Sequence, residues 1–380
     1  MTDVLLHGDT VHSPAMRHEI PLAIGDPFLV MEHDGRTIVL TNALERERIA
    51  AALPNALLML GSELGLLDLV EAGMTRADAD LEVLSRAVAQ VGVTHARVPA
   101  AFPVVVADRL RADGVRLDVD QPFFDFRRRS KSPAELDGIL RAQRAAEGGM
   151  AAAAGLLRAV EHQAVAVGGR GAPLTAEIVR AAVRDACAVM GAPAPADIMV
   201  VSAWSGGGHD PGSGPLPANL PIEVDLWPCD EASACWADMT RTFVAGEVTA
   251  EVAALHRTVL EAVEAARAAA RPGARCRDLY DAAAAVIEAA GHRTLRTRAP
   301  GETLTEGFYF GLGHGVGLEV HEPPIVGLSM EHELVEGDVI AIEPGIENLP
   351  GIGGVRVEDL LLITADGAET LTDHPYGLTP

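Results

Sequence analysis

Positive charge is scarce in this chain. Its 380 residues carry 30 Lys plus Arg against 54 Asp plus Glu, a formal net charge of −24. Such a balance argues against a nucleic-acid backbone or an anionic membrane surface as partner. Cysteine is sparse too: Cys187, Cys229, Cys235 and Cys276 form no CxxC pair. This excludes a disulfide framework and fits a reducing compartment, with buried thiols favoured over a regulatory Cys229–Cys235 bridge. Long apolar runs are also missing. The richest stretch, LPNALLMLGSELGLLDLV at 53–70, contains a proline, Glu63 and Asp68, and a span needs about 18 apolar residues. The opening MTDVLLHGDT lacks the basic start of a signal peptide. These absences predict a soluble, cytoplasmic protein.

What is present is enough chain for two domains. In the first 125 or so residues, FLVMEHDGRTIVLTN predicts a hairpin turning at Asp34-Gly35, and ADLEVLSRAVAQVG an amphipathic helix, giving a small α/β unit. His7, His12 and His18 lie among turn residues and read as surface histidines. The basic run FRRRSKSP at 126–133 marks a boundary between domains 1–128 and 129–380. Beyond it, Ser132-Pro133 caps a helix to about Gln163, and Thr175 opens another to about Met190. Strands follow at IMVVSA, PIEVDLW and CWADMTRTFV. Thr249 starts a helix to about Ala270, Arg277–Ala290 forms its partner, and strands recur near FYFGLG, DVIAIEP and VRVEDLLLI. Two helix-helix-strand-strand-strand halves predict an internal duplication about a pseudo-two-fold axis.

Carboxylates stand where those strands should be apolar. Asp225 in PIEVDLW and Asp238 in CWADMTRTFV are expected to face each other across a hairpin; Glu343 ends VIAIEPG, and Glu358 interrupts VRVEDLLLI. Desolvating a charge costs several kcal/mol, so four carboxylates in core strands require cations. Arg241 and Arg356 are available for salt bridges, but a metal is favoured. An oxygen-rich set with a histidine suits Mn, Co, Fe or Zn, and bridging carboxylates hold two ions roughly 3.5 Å apart.

The segment GLGHGVGLEVHEPP places His314 and His321 seven residues apart. Its glycines disfavour a helix, and on a strand an odd spacing sends the rings to opposite faces unless a glycine bulge shifts the register. Taken alone it leaves open a metal site or two satisfied core histidines.

Together, Asp225, Asp238, His314 in GHGVG, Glu343 in IEPG and Glu358 in VRVED resemble the pita-bread metallopeptidases, which include methionine aminopeptidases, aminopeptidase P and prolidase. The likeness covers about residues 130–380. The separate first domain, the KSPAEL lead-in and GGVRVED look most like prolidase and aminopeptidase P. The resemblance implies a creatinase-like N-terminal α/β domain, a pita-bread catalytic domain, hydrolysis of Xaa-Pro bonds in dipeptides or short peptides, and a homodimer. It implies that Asp225 chelates one ion, that Asp238 and Glu358 bridge both, and that His314 and Glu343 complete the other, with manganese foremost. Glu343 would relay the proton of the attacking water, while His321 and His209 would hydrogen-bond substrate or the tetrahedral intermediate. Arg356, two residues before Glu358, would either orient a ligand carboxylate or meet the carboxyl end of the substrate.

Two features depart from the family pattern. Asp225 and Asp238 are thirteen positions apart, two more than usual, and a longer hairpin turn absorbs an even change without altering the face. The first domain carries no transferable motif. A same-fold enzyme acting on a small amide, amidine or lyase substrate, and a non-catalytic binding protein on this scaffold, are the competing functions.

Overall fold

Asp34 and Gly35 both take positive φ, 49° and 72°, the geometry a two-residue hairpin loop demands. They join β2 (Phe28–His33) to β3 (Arg36–Thr41). The computed structural model describes residues 2–161, 173–202 and 210–380, and the chain divides into two units, Met1–Arg128 and Arg129–Pro380.

In the first unit β1 (Asp3–Gly8), β4 (Leu57–Leu60), β5 (His95–Val98) and β6 (Arg116–Val119) complete a mixed sheet of order β4-β3-β2-β1-β5-β6. The helices are α1 (Pro14–Glu19), α2 (Arg46–Ala52), α3 (Leu66–Glu71), α4 (Arg76–Val91), α5 (Val104–Ala112) and α6 (Gln121–Arg129). Alternation along the strands builds a core on each face: Leu5, Leu29 and Met31 join Val83 and Val88 of α4, whereas Val4, Leu6 and Val30 join Met16 and Ile20. The expectation of three surface histidines is corrected. Only His12 is exposed, and His7 packs edge-on against Phe102 with its pKa lowered by burial.

The second unit opens with α7 (Pro133–Glu161) and α8 (Ala176–Val189), then β7 (Met199–Ser202), β8 (Pro221–Leu226) and β9 (Met239–Val244). Ser132 and Glu135 form a capping box at the start of α7, and the Thr175 hydroxyl accepts from the Ile178 amide at the start of α8. A second helix pair follows, α9 (Ala250–Ala269) and α10 (Cys276–Ala289). Each pair lays an apolar face on its own strands: Ile139, Ala142 and Val183 against Val224, and Val259, Val263 and Ala283 against Ile340 and Leu361.

The second half carries more strands than the three expected: β10 (Gly313–Gly315), β11 (Glu322–Val326), β12 (Val339–Ile342), β13 (Gly345–Leu349), β14 (Gly353–Arg356), β15 (Asp359–Thr364) and β16 (Gly367–Thr370). VRVEDLLLI is not one strand. Arg356 pairs with Gly345 of β13 while Asp359 pairs with Ile342 of β12, so Val357 and Glu358 cross between sheets. Nor do Asp225 and Asp238 oppose each other directly. Asp225 pairs with Thr240, which puts Asp238 two residues along, on the same face and diagonal to Asp225. The long turn between them closes around Asp230, whose carboxylate accepts from the Arg141 guanidinium and from the amide and hydroxyl of Ser233. Among the described residues no helix is long and apolar enough to cross a membrane.

His314 sits on β10 between two glycines the packing requires. A Cβ at Gly313 would collide with the Ala341 carbonyl of β12, and one at Gly315 with the carbonyls of Glu322 and Pro323. Gly313→Ala should therefore destabilise the protein by about 2–3 kcal/mol, because backbone cannot yield as a side chain can. Urea denaturation checks this; an unchanged midpoint would show that β10 and β12 separate without cost.

Candidate metal centre

Five side chains converge where β8, β9, β10 and β12 meet the crossing between β14 and β15. Asp225 lies near the end of β8, Asp238 immediately before β9, His314 on β10, Glu343 immediately after β12, and Glu358 immediately before β15. The strand ends place them, since a residue just outside a ladder keeps the strand's direction but is free to turn inward. Two triads have ligand atoms mutually within 4.8 Å: Asp225, Asp238 and Glu358, and His314, Glu343 and Glu358. Glu358 belongs to both. A third group of the same tightness joins Asp238, His314 and His321.

Burial makes this cluster costly in the absence of a cation. Asp238 and Glu358 are 5% and 2% exposed, and among the described residues neither has a Lys or Arg within ion-pair distance. Burial, together with the like charges around them, drives both carboxyls well above their ordinary range. Glu358 keeps one compensating bond, from the Thr240 hydroxyl at 2.8 Å. Of the two arginines weighed as counter-ions, Arg241 is committed elsewhere: it donates to Asp359 at 2.9 Å and stacks on Tyr376. Arg356 does reach the cluster, with Nη1 3.3 Å from Asp225 and 3.7 Å from Glu343.

His314 supplies the nitrogen donor. Its Nδ1 lies 3.1 Å from the Gly315 carbonyl, which only accepts, so Nδ1 carries the hydrogen and Nε2 presents its lone pair. Nε2 is 3.6 Å from Asp238 and 3.8 Å from Glu343. Burial, with His321 alongside, lowers the His314 pKa to about 4, so the ring is neutral, as a metal ligand must be. Four carboxylates and one neutral imidazole, short of positive charge and gathered into two triads that share Glu358, fit a pair of hard or borderline divalent ions.

His321 stands at the exposed edge, in the turn that leads into β11. Its ring centroid is 4.2 Å from that of His314, with the planes at 84°. The ladder between β10 and β11 shifts register between Gly313 and Gly315, so the simple odd-spacing argument does not govern where His321 points. His209 lies outside the described residues.

Two residues that the strand pattern passed over belong to the neighbourhood. Glu223, two before Asp225 on β8 and hence on the same face, and Glu347 on β13 are 4% and 7% exposed and flank Arg356. The period-two relation of Glu223 to Asp225 was the available signal. None of the four cysteines is in a disulfide, and burial raises the thiols of Cys187, Cys235 and Cys276.

Two solved structures share this architecture over nearly the whole chain. The prolidase from Pyrococcus horikoshii superposes with a TM-score of 0.75 at 24% identity, covering 100% of this chain and 95% of that one. The X-Pro aminopeptidase from Thermotoga maritima gives 0.77 at 20% identity, covering 99% and 97%. The fold is therefore the pita-bread fold preceded by an α/β N-terminal unit. The profile of metallopeptidase family M24 matches residues 137–365, and the chain belongs to that family. Among curated relatives, the Xaa-Pro dipeptidases of Pyrococcus furiosus and Pyrococcus horikoshii are 42% and 43% identical over 136 residues, 36% of this chain and 35% of each relative. The match thus spans about a third of those relatives' length.

The metal-free chain has a predictable pH response. Burial first, and then neighbouring Asp225 and Glu347, raise Glu343 from 4.5 to about 7 against the opposing pull of Arg356. The folded state therefore holds this proton more tightly than the unfolded state, so its stabilisation is complete below about pH 4.5 and is lost as pH rises through about 7. With chelator present, Tm should fall across that window, and saturating Mn²⁺ should abolish the fall. A flat profile for the metal-free protein would contradict this.

Proposed function

We propose that this chain is a dinuclear metal-dependent peptidase that hydrolyses the bond between a residue and a following proline, in dipeptides or short peptides. The observation that carries the proposal is the pair of ligand triads sharing Glu358, set in a chain of the M24 family. The Pyrococcus relatives named Xaa-Pro dipeptidase supply the bond type. Residues 129–380 would be the catalytic domain and 1–128 a creatinase-like N-terminal domain. The acidic balance and the unbridged cysteines support a cytoplasmic enzyme with no nucleic-acid or membrane partner, and its active form would be a homodimer.

Asp225, Asp238 and Glu358 would hold one ion and His314, Glu343 and Glu358 the other, with Asp238 and Glu358 bridging. Mn²⁺ best suits so oxygen-rich a set, and Co²⁺, Zn²⁺ and Fe²⁺ fit the same donors. The chemistry a bound pair supplies is a nucleophile from water at neutral pH and a polarised scissile carbonyl.

The chain's own groups do the rest. Glu343, less buried than Asp238 and Glu358, has one carboxylate oxygen towards His314 and the other towards Arg356. It would accept the proton of the attacking water and return it to the leaving proline nitrogen. His321, at the exposed edge beside His314, would donate a hydrogen bond to the carbonyl oxygen as charge develops there. His209 would serve as a second such donor. The His314 Nδ1–H bond to Gly315 fixes the ring so that Nε2 faces the carboxylates throughout.

Glu343→Gln should fold and lose activity by about 10²–10⁴-fold, the usual weight of a general base. Steady-state assays on a panel of Xaa-Pro dipeptides and longer peptides with added Mn²⁺ check this, and no cleavage of any Xaa-Pro bond would overturn the function. Glu358→Gln should weaken both ions and Asp225→Asn mainly one, read by elemental analysis after desalting. His321→Ala should keep its metal and lose about 10²–10³-fold in kcat; equal loss of metal would make His321 a ligand.

A further inference from the structure

The residue ahead of the α7 cap carries a buried cation. Lys131 pairs through Nζ with the Glu322 carboxylate, and the two side chains are 3% and 1% exposed. Its flanks are fixed as well. Arg129 donates to the Asp338 carboxylate at 2.9 and 2.6 Å and to the Glu333 carbonyl at 2.7 Å, while Ser132 and Glu135 form the capping box on the other side. Lys131 is thus presented from an anchored backbone, not from a loose linker.

Glu322 is the first residue of β11 and directly follows His321. In the ladder it pairs with Gly315, the residue directly after His314. The two histidines therefore precede partners in one ladder, and their rings meet at 4.2 Å with the planes at 84°. Between them the chain turns through 317–321, and the ion pair meets that turn at both ends. Its far end runs into Glu322 itself. At its start, a Cβ on Gly317 would come within 2.5 Å of the Glu322 carboxylate and 2.7 Å of the Lys131 nitrogen, so the bare backbone lies directly on the pair. The Gly317 carbonyl accepts from the Trp236 amide at 2.8 Å, which holds that contact in place.

Stability alone does not account for a buried pair of this kind. Desolvating two charges takes back most of what their attraction returns, and apolar side chains of the same volume fill such a place without loss. What the pair adds is direction, since the ammonium must meet a carboxylate oxygen.

We propose that Lys131 is a positioning residue for His321. By holding Glu322 and the Gly317 backbone together it gives the turn one shape, and the His321 ring stays edge-on to His314 at the exposed edge of the metal centre. The inference rests on the Xaa-Pro reading above and on the place it gives His321, and it deepens that reading by naming what aligns the hydrogen-bond donor.

The test compares Lys131→Met, which keeps the stem and removes the charge, with Lys131→Met/Glu322→Leu, which removes both charges. The single variant strands a buried carboxylate and should lose stability, whereas the double variant should recover the wild-type Tm. With Mn²⁺ and Xaa-Pro dipeptides the double variant should nevertheless lose kcat by about ten- to a hundredfold at unchanged KM and metal content, the cost of a misplaced reacting group. In a His321→Ala background the same double substitution should cost less than about twofold, because its effect runs through the missing ring. Histidine-labelled NMR of the Zn²⁺-loaded protein reads alignment without turnover. The His321 ring resonance, identified by its absence from His321→Ala, should shift or broaden in the double variant. Full kcat at the recovered Tm, an equal loss of kcat with and without His321, or an unmoved His321 resonance would overturn the positioning role. No cleavage of any Xaa-Pro bond by the wild type would instead overturn the activity, and the NMR comparison would still decide whether Lys131 aligns His321.

Discussion

Asp238 and Glu358 approach one another in the interior of the second unit, and among the described residues neither has a Lys or Arg within ion-pair distance; the surrounding architecture answers that repulsion. Two ionised carboxylates in such a place cost several kcal/mol unless cations or protons compensate them. Protons do so in the metal-free chain as far as the raised pKa values of these carboxyls reach. A neutral histidine whose lone pair is aimed at the same point, and a further carboxylate on either side, form a cage for positive charge rather than a structural salt bridge. Among the described residues Arg356 reaches in, and it touches the outer members Asp225 and Glu343. The pair at the centre is left for ions.

The fold supports that cage by bringing five strand ends to one place. Most of the candidate ligands lie just beyond hydrogen-bonded ladders: Asp238 before β9, Glu343 after β12, Glu358 before β15. A ladder fixes the backbone, and the first residue beyond it can turn its side chain inward without breaking a pair. The helices α7 and α8 behind one set of strands, and α9 and α10 behind the other, seal the reverse faces with aliphatic side chains. The rigidity of those layers is what keeps the ligand atoms within reach of each other before any ion arrives.

Much of this was legible because the sequence breaks its own pattern. A carboxylate in a β-rich apolar run, such as Asp225 in PIEVDLW, contradicts its local context, and such contradictions gather at functional sites. Register was not legible. The diagonal placement of Asp225 and Asp238 depends on the turn around Asp230, and turn closure involves Arg141 of a distant helix. The division of VRVEDLLLI between two sheets was hidden for a related reason, since two strands in series show the same apolar run as one strand. Glu223 went unremarked although it shares a face with Asp225, and Glu347 had no local signal at all. What reveals Glu347 is its contact with Gly354, a relation between separate strands.

The central claim is that the buried carboxylates and His314 form one site for two ions joined through Glu358. Anomalous X-ray diffraction from crystals of the Mn²⁺-loaded protein tests it most directly. The account predicts two anomalous peaks per chain, both within bonding distance of Glu358, one also bound by Asp225 and the other by His314 and Glu343. A single peak, or a peak seated between Glu223 and Glu347 instead, would contradict it.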